Sequence, residues 1–512
     1  MFDLGTSLLA SVARDPDALA IVDGDIRLTY AQWMPRISSV VTALDELGLK
    51  PGDHLVTMLQ NRWEAATLHW ACQFAGIIVT PVNWRAKPDE IDFLLEDADA
   101  RALAFEDVAA EAVAQCPRAA ALRTMTIGSA SKADASFEAM LETAGPEATP
   151  RGAADAWSLM LYTSGTTAKP KGVPRRHSAE RIAALAHVAQ NLYARGERTL
   201  GVMPLYHTMG VRSLLAMSLV GGAFVCLPRF DPARALDLIA SEKITNLYLV
   251  PTLYHDVVHH PHFAQSDVSS VRKLGFAGAS MTDGLLTKLT DAFRPDLFVN
   301  HYGSSEIYTF TIDQNAAAKP GSAGRSGLNQ HIRVIPLGST DVTQRAAVGE
   351  EGQIIALAAS DEAFEGYWRR PDANEKSLRD GWYFTGDTGY VDRDGDLFVT
   401  GRVDDMIITG GENVSPVEIE SCLSMHPAVL EVAVVGLPDE RWGKVVVAFI
   451  QRAGDVSAEE LDAHCRTSGL ANFKRPRRFE FVKTIPKSPV GKLLRRQLVA
   501  GEYEPEEPSR AA

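Results

Sequence analysis

Through its first half the chain alternates helix-period stretches with short apolar, β-branched runs, and that alternation leaves few folds open. Residues 62–74 carry helical spacing and lead directly into the strand-like Gly76-Ile77-Ile78-Val79-Thr80-Pro81-Val82. Residues 241–243 close another helix and 245–250 read as a strand. Leu274-Gly275-Phe276-Ala277-Gly278 then passes from a strand into a glycine-rich turn. Periods that take turns in this way predict βαβ units on parallel sheet, with ligands at the carboxyl ends of the strands. From about Gly352 the runs shorten (352–356, 397–400), which predicts an antiparallel section. After Asp404 a compact pattern follows, with a helix over 415–424 and strands over 429–436 and 444–451. The expected fold is α/β: a large multi-lobed N-terminal domain, residues 1–403, with βαβ sheets and a small β section, and a small α+β C-terminal domain, residues 404–512.

The length agrees, since 512 residues are too many for a single core. Hydrophobic residues at 46% and charged residues at 23% make a globular composition. The formal net charge of -14 gives the average surface no attraction for phosphate backbones, so no nucleic-acid partner is expected. Cys72, Cys116, Cys226, Cys422 and Cys465 are scattered and form no C-x-x-C pair, against a disulfide framework or structural zinc. The first residues lack a basic and apolar export signal. The longest greasy stretch, 214–227, is interrupted at Gly221-Gly222 and falls short of the roughly 20 residues that span a bilayer. It reads as a buried helix and then a buried strand. A cytoplasmic protein without a membrane span is expected, with a frayed tail over 502–512.

The sharpest chemical signal is Tyr162-Thr163-Ser164-Gly165-Thr166-Thr167-Ala168-Lys169-Pro170-Lys171-Gly172, which directly follows a strand-like 158–161. Four hydroxyls, small residues that let backbone N–H groups converge, and two lysines suit a loop that holds polyphosphate. It is not a Walker A loop, because the G-x-x-x-x-G-K-[ST] spacing is absent. Further along come Met203-Pro204-Leu205-Tyr206-His207, Phe276-Ala277-Gly278-Ala279-Ser280 and His301-Tyr302-Gly303-Ser304-Ser305-Glu306. Trp382-Tyr383-Phe384-Thr385-Gly386-Asp387, Gly401-Arg402-Val403-Asp404-Asp405 and Pro486-Lys487-Ser488-Pro489-Val490-Gly491-Lys492 complete the series.

In these motifs and their order the chain resembles the adenylate-forming superfamily of acyl-CoA synthetases, stand-alone adenylation domains and beetle luciferases. The likeness is nearest to benzoate-type aryl-CoA ligases, through 203–207, 401–413, Arg441-Trp442-Gly443 and Phe473-Lys474-Arg475-Pro476. The resemblance implies an ATP-dependent ligase that forms an acyl-AMP and passes the acyl group to coenzyme A. ATP, Mg²⁺ and coenzyme A are the implied cofactor and co-substrates, a small carboxylic acid the partner, and a homodimer a possible assembly. Thr163, Ser164, Gly165, Thr166, Thr167, Lys171, Ala279, Tyr302, Ser305, Asp387 and Arg402 would bind ATP. Glu306 would hold Mg²⁺ against triphosphate oxygens, as a hard cation prefers. Tyr302 would present a flat face to adenine, and the paired oxygens of Asp387 would suit the ribose diol.

Lys492 carries the main mechanistic expectation. Attack of a carboxylate on the α-phosphorus develops charge that an added cation offsets. Glu306 and His207 join it as implied catalytic residues. Because Lys492 lies in the C-terminal domain, that domain must close for the first reaction, with Asp404 as the implied hinge. Pantetheine would pass Gly410 and Gly411, and Trp442, Phe473 and Arg475 would contact the nucleotide end of coenzyme A. The acyl pocket would be lined by His207, Met209, Tyr248, Ala279, Gly303, Tyr308 and Thr309, short and flat enough for a benzoate- or furoate-like acid.

Ala168 departs from the family's usual glycine and would cost on the order of 1 kcal/mol if the loop needs a positive φ there. His255, His259, His260 and His262 lack a carboxylate or thiol partner at metal-site spacing. No carboxylate follows His207 to hold an amino-acid ammonium. The readings left open are transfer of the acyl group to a carrier protein, a short- or medium-chain acyl substrate, a non-catalytic nucleotide binder, and luciferase-type oxygenation.

Overall fold

The computed structural model describes residues 1–128, 133–163, 169–410, 412–488 and 493–506, with the side chains of Asp404 and Asn413 outside the description. Three sheets organise the chain. In the seven-stranded sheet, Ala135–Ser136, Arg123–Ile127, Ala100–Glu106, His54–Met58, Ile78–Pro81 and Trp157–Thr163 run parallel, and Lys171–Arg176 closes it as an antiparallel edge. The helix Trp63–Ala75 connects two of these strands as a βαβ crossover and is buried along nearly its whole length. That burial takes in Glu64, Thr67, His69 and Gln73 along with the apolar residues. The neighbouring helix Tyr30–Glu46 starts with a reciprocal cap between Thr29 and Gln32, which satisfies two backbone donors at its first turn.

The fourteen-stranded sheet changes character midway. Leu19–Asp23, Ala223–Cys226, Arg198–Gly201, Asn246–Leu249, Lys273–Phe276 and Leu297–Tyr302 are parallel neighbours. Beyond Leu297–Tyr302 every pairing is antiparallel, through Thr311–Asp313, Ser322–Ser326, Leu397–Arg402, Trp382–Val391, Gly352–Leu357 and Ile332–Pro336. The antiparallel section therefore begins near Thr311, earlier than the Gly352 expected from sequence. Its first strands are short, and Ser322–Ser326 is built from small and charged residues with no β-branched side chain. They carry no strand signal in sequence.

A five-stranded sheet holds Glu412–Val414, Ile407–Thr409, Gly443–Arg452, Val429–Asp439 and Arg478–Phe481, with the helices Pro416–Ser424 and Ala458–Thr467 packed on its core. It touches the rest of the chain through Ser421 Oγ, which donates to Asp283 Oδ1 at 3.2 Å, and His255 Nε2, 3.2 Å from the Leu430 carbonyl. Among the described residues no helix is long and apolar enough to cross a membrane.

Candidate active site

The polyphosphate motif sits between the paired strands Trp157–Thr163 and Lys171–Arg176, whose last register pair is Thr163 with Lys171. Sequence reading took Lys171 as part of a loop; it opens a strand instead. This fixes the direction of its side chain, and Nζ lies 3.9 Å above the ring of Tyr367. Tyr367 Oη donates to Glu306 Oε1 at 2.7 Å, and the Glu306 side chain is buried. Burial lowers the Lys171 pKa below the usual lysine range, and the Glu306 carboxylate opposes that shift. Lys171, Tyr367 and Glu306 thus form one charged, partly dehydrated group from three separate segments.

Next to it stands a second group. Tyr302 ends the strand Leu297–Tyr302 at the carboxyl edge of the parallel sheet, and its ring packs 5.0 Å from that of Phe310. Its Oη donates to Asp387 Oδ2 at 2.6 Å, and Arg402 Nη1 lies 3.2 Å from Asp387 Oδ1. Asp387 and Arg402 are direct register partners on antiparallel strands, the arrangement in which opposite charges meet. Gly386 has φ +78°, a conformation that favours glycine, and a Cβ there would displace the Arg402 guanidinium tip 2.7 Å away. Tyr383 links the two groups: its Oη lies 3.4 Å from Tyr367 Oη, and the charges of Glu306 and Asp387 both reach it.

Of the residues expected to line the acyl pocket, Tyr248 and Tyr308 both contact Arg212. His207 is half-buried and caps the helix Thr208–Leu219, with Nδ1 accepting from the Met209 amide at 3.3 Å. Met209, Tyr248, Tyr308 and Thr309 are buried, whereas Ala279, Gly303 and Ser305 are half-buried. Tyr308 Oη donates to Glu180 Oε2 at 3.0 Å, and the Arg175 and Arg212 guanidinium groups lie 4.1 and 4.8 Å from its ring centroid. Tyr248 packs 4.7 Å from His187 and 5.2 Å from His301. The Asn191 amide nitrogen lies 3.0 Å from both His187 Nδ1 and His301 Nε2. Burial holds both histidines well below the usual imidazole range. Sequence reading named neither Tyr367 nor the set His187, Asn191, Arg212 and His301 as site residues.

On the five-stranded sheet side, the Gly410 amide donates to the Trp442 carbonyl at 3.0 Å, and Arg477 lies 4.3 Å from the Trp442 ring centroid. Phe473 is 42% exposed, available as a stacking face. Arg475 is engaged by Asp462 at 2.6 Å and by Asn472, so a ligand would compete with those partners for it. Ser164, Gly165, Thr166, Thr167, Ala168, Gly411 and Lys492 lie outside the described residues, as does the side chain of Asp404.

The histidine cluster gathers only in pairs: His255 and His259 at 4.1 Å between rings, His260 and His262 at 4.9 Å. Among the described residues the one grouping with metal-ligand geometry is Asp392, Asp394 and Asp396. The Lys319 ammonium contacts all three carboxylates at 2.5 to 2.8 Å, and Arg325 pairs with Asp396 at 3.0 Å.

These two charged groups meet where the parallel strand Leu297–Tyr302 ends, the part of an open α/β sheet at which ligands bind. The chain belongs to the AMP-binding enzyme family, which matches residues 8–368, and the family's C-terminal domain matches residues 418–492. It is an acid–CoA ligase that works through an acyl-AMP, with ATP and coenzyme A as substrates. It is 32% identical to a 4-chlorobenzoate–CoA ligase of an Arthrobacter species, over 95% of this chain and 93% of that protein. It is 31% identical to a long-chain-fatty-acid–CoA ligase of Mycobacterium tuberculosis, over 97% of both. The solved structure of an anthranilate CoA ligase in complex with anthranoyl-AMP superposes with a TM-score of 0.90 at 27% identity, covering 98% of this chain and 97% of that one.

Proposed function

We propose that this ligase activates a small aromatic or heteroaromatic carboxylate. The observation that supports the reading is the aromatic cluster in which Tyr248 packs 4.7 Å from His187 and 5.2 Å from His301, with Arg212 in contact with both Tyr248 and Tyr308. Aromatic walls of this kind fit a planar acid better than a long flexible chain.

In the first step a carboxylate oxygen attacks the α-phosphorus of ATP, the bond to the pyrophosphate oxygen breaks, and acyl-AMP and pyrophosphate result. Thr163, Lys171 and the loop between them hold the phosphates, Tyr302 faces adenine, and Asp387 with Arg402 takes the ribose. Lys492 offsets the charge that develops at phosphorus. Glu306 fits Mg²⁺, because its buried carboxylate is oriented by Tyr367 and offers one hard oxygen ligand while phosphate oxygens and water supply the rest. A bound Mg²⁺ would neutralise phosphate charge. In the second step the coenzyme A thiol sulfur attacks the acyl carbon, loses its proton and displaces AMP. Gly410, Gly411, Trp442, Phe473 and Arg475 line its approach, and the C-terminal domain turns about Asp404 between the steps.

The test is pyrophosphate release across benzoates, furoate, cyclohexanecarboxylate, short, medium and long fatty acids and amino acids, with and without coenzyme A. Coenzyme-A-dependent turnover greatest with ring acids is expected. A maximum at fatty acids would overturn the substrate class, and turnover that needs a carrier protein would overturn the acceptor.

A further inference from the structure

Arg212 lies one turn after Met209 on the helix Thr208–Leu219, whose other residues are small, hydroxylic or apolar, and it is 2% exposed. Its Nη1 reaches Tyr248 Oη only at 3.4 Å, its guanidinium lies 4.8 Å from the Tyr308 ring centroid, and its Nε has no partner. The contrast with Arg175 is direct. That arginine, also buried against Tyr308, leaves its Nη2 without a partner but pairs with Glu180 at 2.7 Å and donates to the carbonyls of Glu306 and Glu362 at 3.0 and 2.7 Å. Among the described residues no carboxylate forms an ion pair with Arg212.

The carboxylate whose charge interacts with Arg212 is Glu362. Its Oε1 accepts from Asn329 at 2.9 Å; burial raises its pKa and the charge of Arg212 opposes that shift, so the two groups interact without forming an ion pair. His187 Nε2 and His301 Nδ1 are also buried without partners, and the charge of Arg212 reaches both rings. A guanidinium does not lose its proton, and a buried unpaired cation is costly to the fold. Tyr248 and Tyr308, the two residues it touches, are expected pocket walls, so the guanidinium lies beside the place where the acid would lie.

We propose that Arg212 is a specificity residue: the acid activated carries a second oxygen-acceptor group, a carboxylate above all, at the end remote from the carboxylate that is adenylated, and Arg212 pairs with it. This deepens the ring-acid reading above and rests on it. The planar fork of donors matches a carboxylate in two places, and the neutral histidines beside it add donors without adding charge. The pair would give Arg212 the direct ion pair that no described carboxylate makes with it.

The experiment measures kcat/KM for CoA-thioester formation with benzoate, 3- and 4-hydroxybenzoate, isophthalate, terephthalate and 3- and 4-aminobenzoate, in the wild type, Arg212→Met and Arg212→Lys. The wild type should prefer an acid with a distal carboxylate or hydroxyl. The ratio of that kcat/KM to the value for benzoate should fall about a hundredfold in Arg212→Met, with part retained in Arg212→Lys. If the wild type turns over benzoate as well as the acceptor-bearing acids, or if the ratio is unmoved in Arg212→Met, the proposal is wrong while the ring-acid reading stands. A preference for aminobenzoates would transfer the role to Glu362 and equally overturn it. Silence with every ring acid overturns both. The order of preference in the wild type decides the matter even if Arg212→Met does not fold.

Discussion

Tyr302 Oη donates a 2.6 Å hydrogen bond to one oxygen of Asp387 while Arg402 pairs with the other at 3.2 Å. Asp387 is therefore oriented from both sides before any ribose arrives. Asp387→Asn keeps the shape but loses the charge, and kcat/KM for ATP should fall about ten- to a hundredfold, the worth of a charge-assisted bond. Tyr302→Phe removes one orienting bond and should cost about fivefold. Steady-state kinetics in ATP at saturating acid measures both, and a larger loss in Tyr302→Phe than in Asp387→Asn would refute the assignment of the carboxylate to the ribose.

The two half-reactions should separate at Lys492. Lys492→Ala is expected to slow acyl-AMP formation by about a hundredfold or more. Thioester formation from preformed acyl-AMP and coenzyme A should be little changed. Single-turnover assays of each step give the answer; equal losses in both would remove the proposed division of labour.

Gly410 has φ +59°, and a Cβ there would lie 2.9 Å from Trp442 Cε3. Gly410→Ala must strain the backbone or displace the indole. The expected result is a raised KM for coenzyme A with pyrophosphate release in its absence preserved. A loss confined to adenylation would place Gly410 outside the thiol path.

Much of this site was legible because its motifs are contiguous. The segment from Tyr302 to Glu306, the dipeptide Gly386-Asp387 and Arg402 each carry their chemistry within a few residues, and the fold had only to bring them together. The βαβ half was equally readable from period, since Trp63–Ala75 and Ile78–Pro81 differ sharply in pattern. Tyr367 was not, because nothing in Gly366-Tyr367-Trp368 shows that its hydroxyl reaches Glu306. His187, Asn191 and His301 meet only after two elements pack. Arg212 did leave a signal: a lone charge inside a helix buried along most of its length is expensive, and such a residue asks for a partner.

Burial also predicts an acid response. His69 is 3% exposed and burial pushes its pKa down to about 3. The folded chain therefore keeps it neutral while the unfolded chain binds a proton below about pH 6.5. Its contribution to stability is present above that value and is lost as pH falls toward 3, by about 1.4 kcal/mol per pH unit. In His69→Gln this loss is absent, so the stability of the variant relative to wild type should improve by about 2 kcal/mol between pH 6.5 and pH 5. Thermal melts at the two pH values check it, and a difference that does not vary with pH would show that His69 titrates alike in both states.

The most direct test of the acyl-AMP route uses a ring acid labelled with ¹⁸O in its carboxylate. Attack of that oxygen on the α-phosphorus predicts one labelled oxygen in the AMP released with the CoA thioester and none in the pyrophosphate. Label in inorganic phosphate or pyrophosphate, or AMP free of label, would contradict it.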